Sequence, residues 1–130
     1  METFYIEAGK YTPEVLFRPE SNVFYIIGNS YPENPLPFYQ RVFEWFNSYF
    51  VSLEMMNEIT IHIELEYFNT ATAKQIAKLF RIIENNPAGD RVTIKWCYNS
   101  TDTDMLETGE RFKRLSKLKF EFCGILIENN

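Results

Sequence analysis

One short run of the sequence places a hydroxyl side chain where a phosphate could be held. Residues 67–72 read Tyr-Phe-Asn-Thr-Ala-Thr and join an alternating strand pattern to a helical one, so Thr70 should lie at the start of the helix. Free backbone N–H groups and the positive end of the helix dipole favour an anion there, and a phosphothreonine would add up to about two negative charges. The alternative is that Asn69 or Thr70 serves only as the helix N-cap.

Two carboxylates precede this run on the same strand pattern. Glu64 and Glu66 share one face and lie about 7 Å apart by strand rise. Paired carboxylates at such a separation act in glycoside hydrolases. The sequence around them shows no pocket-forming loop or second domain, so a solvated sheet face is the simpler interpretation, with a small carboxylate-dependent hydrolase kept as an alternative.

Ligands for a metal ion are sparse. His62 is the one histidine in the chain, and we expect it to be exposed or hydrogen-bonded on the polar strand face. Cys97 and Cys123 are typical of two buried, reduced thiols in a cytosolic protein, and a disulfide between them is the alternative. A cluster of acidic residues lies further along the chain, at Asp102, Asp104, Glu107 and Glu110. It lacks the glycine and the terminal Glu of an EF-hand, so it predicts a solvated helix start. We predict no metal site and no cofactor.

A second segment, Gly-Asn-Ser-Tyr-Pro-Glu-Asn at 28–34, is rich in turn residues and ends before Pro35. Asn34 is a good N-cap and Pro35 suits the first helical position, so a helix-entry turn is one interpretation. The other is that this loop lies beside Thr70 and forms part of a docking surface. The partner-binding residues on that hypothesis are Ser30, Tyr31, Pro32, Glu33 and Asn34, together with Asn69 and Thr72.

The composition limits the function classes. The 130 residues fit one domain, 1–130, and the net charge of −5 argues against nucleic acid and anionic membranes as partners. The sequence shows neither a charged-then-apolar leader nor an apolar run near the roughly 20 residues that cross a bilayer, so we expect a cytoplasmic protein. The aromatic share of 17% predicts a bulky core or an aromatic contact surface.

The elements that position these residues follow the order ββαβαβαβ. Strands alternating with helices predict an α/β fold, with a mixed sheet of about five strands and helices mainly on one face. In 59–68, the side chains of Ile63, Leu65 and Tyr67 should face one way and that of Phe68 the other. Gly109 predicts close packing against another backbone. The predicted strands are 15–17, 23–27, 59–68, 92–98 and 120–127, and the first helix is 35–50.

That first helix carries an unusually wide aromatic face. Its apolar side chains either belong to the core or form a contact patch for another protein. They are Phe38, Tyr39, Val42, Phe43, Trp45, Phe46, Tyr49 and Phe50.

Five blocks together carry a family resemblance. They are 28–34, Tyr-Phe-Asn-Thr at 67–70, Trp-Cys-Tyr at 96–98, Asp-Met-Leu-Glu-Thr-Gly-Glu-Arg-Phe at 104–112 and Phe-Glu-Phe at 120–122. In this order, and from about residue 10 to residue 125, the chain resembles the SiaC family of bacterial regulatory phosphoproteins. The resemblance implies a STAS-like α/β sandwich, similar to anti-sigma-factor antagonists.

The resemblance also implies a switch. The acceptor would be the Thr directly after Asn at the strand end, here Thr70. It would be phosphorylated by a protein kinase of the histidine-kinase-ATPase type and dephosphorylated by a PP2C-type phosphatase. The unphosphorylated protein would bind and activate an effector such as a diguanylate cyclase, raising cyclic-di-GMP. The family commonly has Asn-Thr-Ser-Ser where this chain has Asn-Thr-Ala-Thr, which leaves Thr72 as a competing hydroxyl.

We therefore expect a protein-binding signalling adaptor, not an enzyme, that is switched at Thr70. One alternative is an anti-sigma-factor antagonist, switched at the same residue but acting on transcription. The other alternative is the hydrolase that would use Glu64 and Glu66.

Overall fold

The computed structural model describes residues 2–52 and 58–127. The expected single domain, 1–130, includes residues outside these ranges. The strands are β1 (Phe4–Ile6), β2 (Glu14–Arg18), β3 (Val23–Ser30), β4 (Ile59–Phe68), β5 (Val92–Asn99) and β6 (Lys119–Ile125). The helices are α1 (Leu36–Val51), α2 (Thr70–Glu84) and α3 (Thr103–Leu115), and short 3-10 helices occupy Pro19–Ser21 and Pro87–Arg91.

The strands lie side by side in chain order in one sheet. The first three pair antiparallel, and β3 to β6 pair parallel. Each parallel connection contains a helix, and right-handed crossovers that all step in one direction along a sheet place their helices on the same face. The opposite face, called the open face below, carries side chains that include Tyr25, Glu64, Lys95, Cys97 and Cys123, and no described helix covers it.

Each α-helix begins beside a side-chain oxygen that the sequence supplies. The Leu36 N–H donates to Asn34 Oδ1 at 3.3 Å, with Pro35 at the N-cap, so α1 starts one residue later than predicted. Asp102 caps α3 by accepting from the Met105 N–H at 3.0 Å, which confirms the interpretation of that acidic segment as a helix start.

The aromatic face of α1 belongs to the core. Trp45 packs on Phe17 and on Tyr49 with ring centroids 4.9 Å apart in both pairs. Aromatic pairs at this separation stabilise the core beyond the burial of their area. Six residues of the helix are buried: Tyr39, Val42, Phe43, Trp45, Phe46 and Tyr49.

The α/β architecture is confirmed, with two differences. The sheet has six strands instead of about five, and the order is βββαβαβαβ, because Phe4–Ile6 pairs with β2 as an edge strand. In addition, the alternation predicted for 59–68 is wrong beyond Leu65. Leu65 pairs with Gly28 and Tyr67 with Asn29, so one residue is inserted as a bulge and the alternation reverses.

Gly109 packs against side chains, not against another backbone as predicted. A Cβ at this position would lie 2.5 Å from Cδ1 and Nε1 of Trp96 and 2.9 Å from Cε1 of Phe122. The Trp96 indole N–H donates to the Met105 carbonyl oxygen at 3.1 Å, so the ring is fixed beneath α3. Glycine is therefore required for the close approach of this helix to the sheet.

Candidate functional site

Thr70 is the first residue of α2 and is exposed. The N-cap is Asn69, which has extended backbone geometry and accepts the Thr72 N–H on Oδ1 at 2.8 Å. The cap is therefore made by the neighbouring asparagine, and the Thr70 hydroxyl is not the group that closes the helix end. The first amides of a helix have no intrahelical acceptor, so those of Thr70 and Ala71 lie at the positive end of the dipole.

The loop at 30–34 lies beside this helix start, as the sequence suggested. The Asn69 backbone N–H donates to the Ser30 carbonyl oxygen at 3.1 Å, and the Asn69 side-chain N–H donates to the Pro32 carbonyl oxygen at 3.1 Å. Because β3 and β4 are parallel neighbours, the residues that follow them meet at one edge of the sheet. One asparagine thus caps α2 and holds the loop next to Thr70.

Three exposed tyrosines surround this edge. The Tyr31 N–H donates to the Tyr11 carbonyl oxygen at 2.9 Å, and the ring of Tyr31 lies 5.2 Å from that of Tyr11 and 5.8 Å from that of Tyr67. Their exposed fractions are 46% for Tyr11, 38% for Tyr31 and 55% for Tyr67. We call Tyr11, Tyr31, Tyr67, Asn69 and Thr70 together the Thr70 corner.

Sequence reasoning found Tyr31 but missed the other two tyrosines. Tyr11 lies among the first dozen residues, where the sequence shows no clear helical or strand period, and Tyr67 is turned outward by the bulge in β4, which moves Phe68 onto the Trp96 ring at 6.1 Å. The other loop residues are placed as expected for a surface segment: Glu33 and Asn34 are exposed and Pro32 is half-buried.

Ser30 and Thr72 were expected to contact a partner, but both side chains are fully buried, with 0% of their surface exposed. The Ser30 hydroxyl lies 2.9 Å from that of Thr72 and 2.8 Å from the Tyr39 hydroxyl. Burial raises the pKa of Tyr39 to about 12, so its hydroxyl keeps its proton. These two residues therefore position the corner from inside, and the Thr72 hydroxyl is withheld from any kinase.

A second group of polar side chains lies on the open face. His62 Nε2 lies 3.0 Å from Glu64 Oε1, and His62 Nδ1 lies 3.7 Å from the sulfur of Cys97. Both cysteines are free, as predicted, but only Cys97 is buried, whereas Cys123 is half-buried. Burial, and to a smaller extent the neighbouring Cys123, raises the pKa of the Cys97 thiol to about 12. The thiol is therefore not an activated nucleophile.

A groove of about 820 Å³ runs along the open face, from Tyr31 and Tyr67 to Cys97 and Ile125. The two carboxylates that the hydrolase hypothesis would use differ in setting: Glu64 is half-buried and bonded to His62, whereas Glu66 is exposed at the bulge.

In the part of the chain that the structure describes, no helix is both long enough and apolar enough to span a bilayer.

Solved structures of other proteins share this fold. SiaC of Pseudomonas aeruginosa in its apo form is 22% identical, with 95% of this chain and 100% of that chain covered and a TM-score of 0.82. SiaC in complex with the diguanylate cyclase SiaD, whose activator it is, is 21% identical, with 94% and 99% covered and a TM-score of 0.83. The fold thus defines the chain as an α/β domain of the SiaC type.

The sequence gives the second step of the identification. The profile of the SiaC family regulatory phosphoproteins matches residues 6–125, and the chain belongs to this family. An uncharacterized protein of P. aeruginosa strain UCBPP-PA14 is 23% identical over 114 residues, which cover 87% of this chain and 89% of that protein. The resemblance drawn from the five sequence blocks is confirmed.

Proposed function

We propose that this chain is a switch protein whose unphosphorylated form binds and controls a diguanylate cyclase in the cytoplasm, and whose phospho-acceptor is Thr70. The observation that carries the proposal is the exposure of Thr70 at the first position of α2, inside a cluster of exposed tyrosines. On this proposal the protein regulates its partner and catalyses no reaction itself.

The phosphate would act on the contact and not on the fold. At the first helical position it would meet the free amides and the positive dipole end, and the exposed Lys74 lies one helical turn further on. Such a phosphate is compatible with the helix, so the domain should stay folded. Its charge of nearly −2 would instead change what the Thr70 corner attracts, on a chain whose net charge is already −5.

The surface around Thr70 has the composition of a protein contact. Tyrosines are enriched at the energetically dominant positions of interfaces, because they bury a large area at a low cost in conformational entropy. Glu33 and Asn34 extend this surface along the loop. A kinase of the histidine-kinase-ATPase type and a PP2C-type phosphatase would act on the same corner, since the acceptor hydroxyl is reached only there.

The test combines identification of the modified residue with binding. Phosphopeptide mass spectrometry on the protein from its native cell should find phosphate on Thr70. Thr70→Ala should keep effector binding and abolish its control by the kinase. Thr70→Asp should weaken binding roughly tenfold, because its single charge reproduces part of the repulsion of the phosphate.

The chain offers a matched control at Thr103. Thr103 is also exposed, also first in its helix and also preceded by a capping residue, Asp102, but it lies outside the Thr70 corner. Thr103→Asp should leave effector binding unchanged. The proposal is wrong if Thr70→Ala and Thr70→Asp both bind the effector like the parent protein.

The identity of the co-purified partner separates the remaining alternatives. Recovery of a diguanylate cyclase, with cyclase activity that depends on the added protein, supports the proposal. Recovery of a sigma-factor inhibitor instead would assign the switch to transcription. Hydrolytic activity lost in Glu64→Gln with partner binding retained would favour the enzyme.

A further inference from the structure

The geometry points to a metal site on the open face, in which His62 Nδ1 and the sulfurs of Cys97 and Cys123 bind one Zn²⁺ and Glu64 orients the histidine. The single histidine of the sequence predicted no such site. The sheet supplies the missing ligands, because neighbouring strands bring distant residues together. The inference does not depend on Thr70 or on the proposed function.

The register of three parallel strands assembles the group. His62 and Glu64 lie on β4, Glu64 is paired with Cys97 on β5, and Cys97 is paired with Cys123 on β6. All four side chains point to the open face. Nitrogen, carboxylate oxygen and sulfur ligand atoms of His62, Glu64 and Cys97 lie within 4.8 Å of one another, and Cys123 lies beside Cys97 in the register of β5 and β6.

The distance between Cys97 and His62 fits tetrahedral coordination. Metal–sulfur and metal–nitrogen bonds to Zn²⁺ are about 2.3 Å and 2.0–2.1 Å, which places tetrahedral sulfur and nitrogen ligands about 3.6 Å apart. The sulfur of Cys97 lies 3.7 Å from His62 Nδ1. The two atoms can therefore bind one ion with little movement of either side chain.

Glu64 is assigned to the histidine and not to the metal. Its Oε1 lies 3.0 Å from His62 Nε2, the ring nitrogen that faces away from Cys97. A carboxylate that accepts from the second ring nitrogen fixes the tautomer and the orientation of a ligating histidine. The open face leaves the fourth coordination position accessible to water.

The chemistry of the ligands selects the ion. Two sulfurs and one imidazole favour Zn²⁺ over Mg²⁺ or Ca²⁺, which prefer oxygen ligands. Two thiolates neutralise the charge of the ion. Cys97 is only 1% exposed, so the ion would be bound partly below the surface of the sheet.

Co²⁺ titration of the reduced, metal-free chain tests this assignment. One Co²⁺ per chain should produce visible bands typical of a tetrahedral site and a thiolate-to-metal charge-transfer band in the near ultraviolet. Zn²⁺ should displace the Co²⁺. Cys123→Ser should weaken the charge-transfer band, and Cys97→Ser combined with Cys123→Ser should abolish it.

Glu64→Gln and its matched control separate the ligands from the orienting group. Glu64→Gln should keep the charge-transfer band but lower the affinity about 10- to 100-fold. Glu66→Gln, on the same strand, should change neither. Zn²⁺ should also raise the Tm of the parent protein more than that of Cys123→Ser, which provides a readout independent of colour.

Three results would overturn the site. They are saturation below one ion per chain in the reduced protein, a charge-transfer band that persists without both cysteines, and loss of that band in Glu64→Gln. Circular dichroism of each variant shows whether the fold is retained. Where Cys97→Ser does not fold, Cys123→Ser alone decides the question, and an undiminished charge-transfer band in that variant overturns the site.

Discussion

The hydroxyl oxygen of Ser30 lies 2.9 Å from that of Thr72, and both side chains are fully buried. This contact joins the last residue of β3 to the first turn of α2, and the Tyr39 hydroxyl, 2.8 Å from Ser30, adds α1 to the same cluster. A buried, satisfied polar cluster fixes the elements that it joins. The exposed Thr70 corner is therefore held in one arrangement by residues that no partner reaches.

Thr72→Val is predicted to destabilise the fold without affecting phosphorylation. The substitution keeps the shape of the side chain and removes the hydroxyl, so the free energy of unfolding should fall by about 1 kcal/mol in urea denaturation. Thr70→Val, at an exposed position, should stay within about 0.5 kcal/mol of the parent. Phosphate should persist in Thr72→Val and vanish in Thr70→Val; the reverse pattern would move the acceptor to Thr72.

Gly109→Ala is predicted to destabilise the protein, although alanine is the better helix former by about 1 kcal/mol. The added Cβ would lie 2.5 Å from the indole ring of Trp96, so the helix or the ring must shift, which costs roughly 1–3 kcal/mol. Urea unfolding followed by tryptophan fluorescence measures this loss. Glu110→Ala, exposed on the same helix, should change stability little. Equal or higher stability of Gly109→Ala would contradict the packing described.

Much of the fold could be predicted because its long elements repeat their periods over many residues. The central parallel strands and the first two helices followed from alternation and from helical spacing, and the third helix from the acidic start and basic end of its segment. The edge strand Phe4–Ile6 could not be predicted, because three residues carry no period and gain their geometry from pairing with β2. The bulge was missed because it depends on the register of Leu65 with Gly28, which the strand's own sequence does not contain.

Prediction of the candidate functional site from the sequence was limited in the same way. The position of Thr70 at a helix start could be predicted from local patterns alone. The burial of Thr72 had a usable signal, since it precedes Ile76 by one helical turn and continues the buried stripe to Phe80. The grouping of His62 with Cys97 had no such signal, because it depends on which strands are neighbours.

Tyr25→Phe is predicted to destabilise the protein by an amount that depends on pH. The hydroxyl of Tyr25 donates to Glu14 Oε1 at 2.6 Å, and that of Tyr5 donates to Oε2 at 2.9 Å. Both hydrogen bonds lower the pKa of Glu14 below its ordinary value of 4.5, and the bond from Tyr25 has the larger effect. A carboxyl whose pKa is lower in the folded state than in the unfolded state stabilises the protein at pH values above its unfolded-state pKa. This stabilisation is lost as the pH falls through its folded-state pKa.

The measurement is urea unfolding of parent and Tyr25→Phe across the acid range. The difference in the free energy of unfolding between the parent and Tyr25→Phe should be constant from about pH 7 to about pH 5. It should become smaller at lower pH, as the Glu14 carboxylate is protonated. Tyr67→Phe, at an exposed tyrosine of the Thr70 corner, should show no such dependence. A gap for Tyr25→Phe that stays flat through the acid range would show that the hydrogen bond does not couple to the ionisation of Glu14.

Tyr31→Ala is predicted to weaken effector binding by tenfold or more, because central tyrosines of an interface contribute about 2 kcal/mol or more when truncated. Tyr31 is the ring between the other two tyrosines, so its loss also frees Tyr11 and Tyr67 from their common neighbour. Tyr5→Ala is the matched control, since Tyr5 is 51% exposed but lies on the edge strand β1. Calorimetric titration with the effector measures both variants, with urea unfolding to confirm their folding. Equal affinity of Tyr31→Ala and the parent would remove the tyrosines from the docking surface and leave Thr70 to act through charge alone.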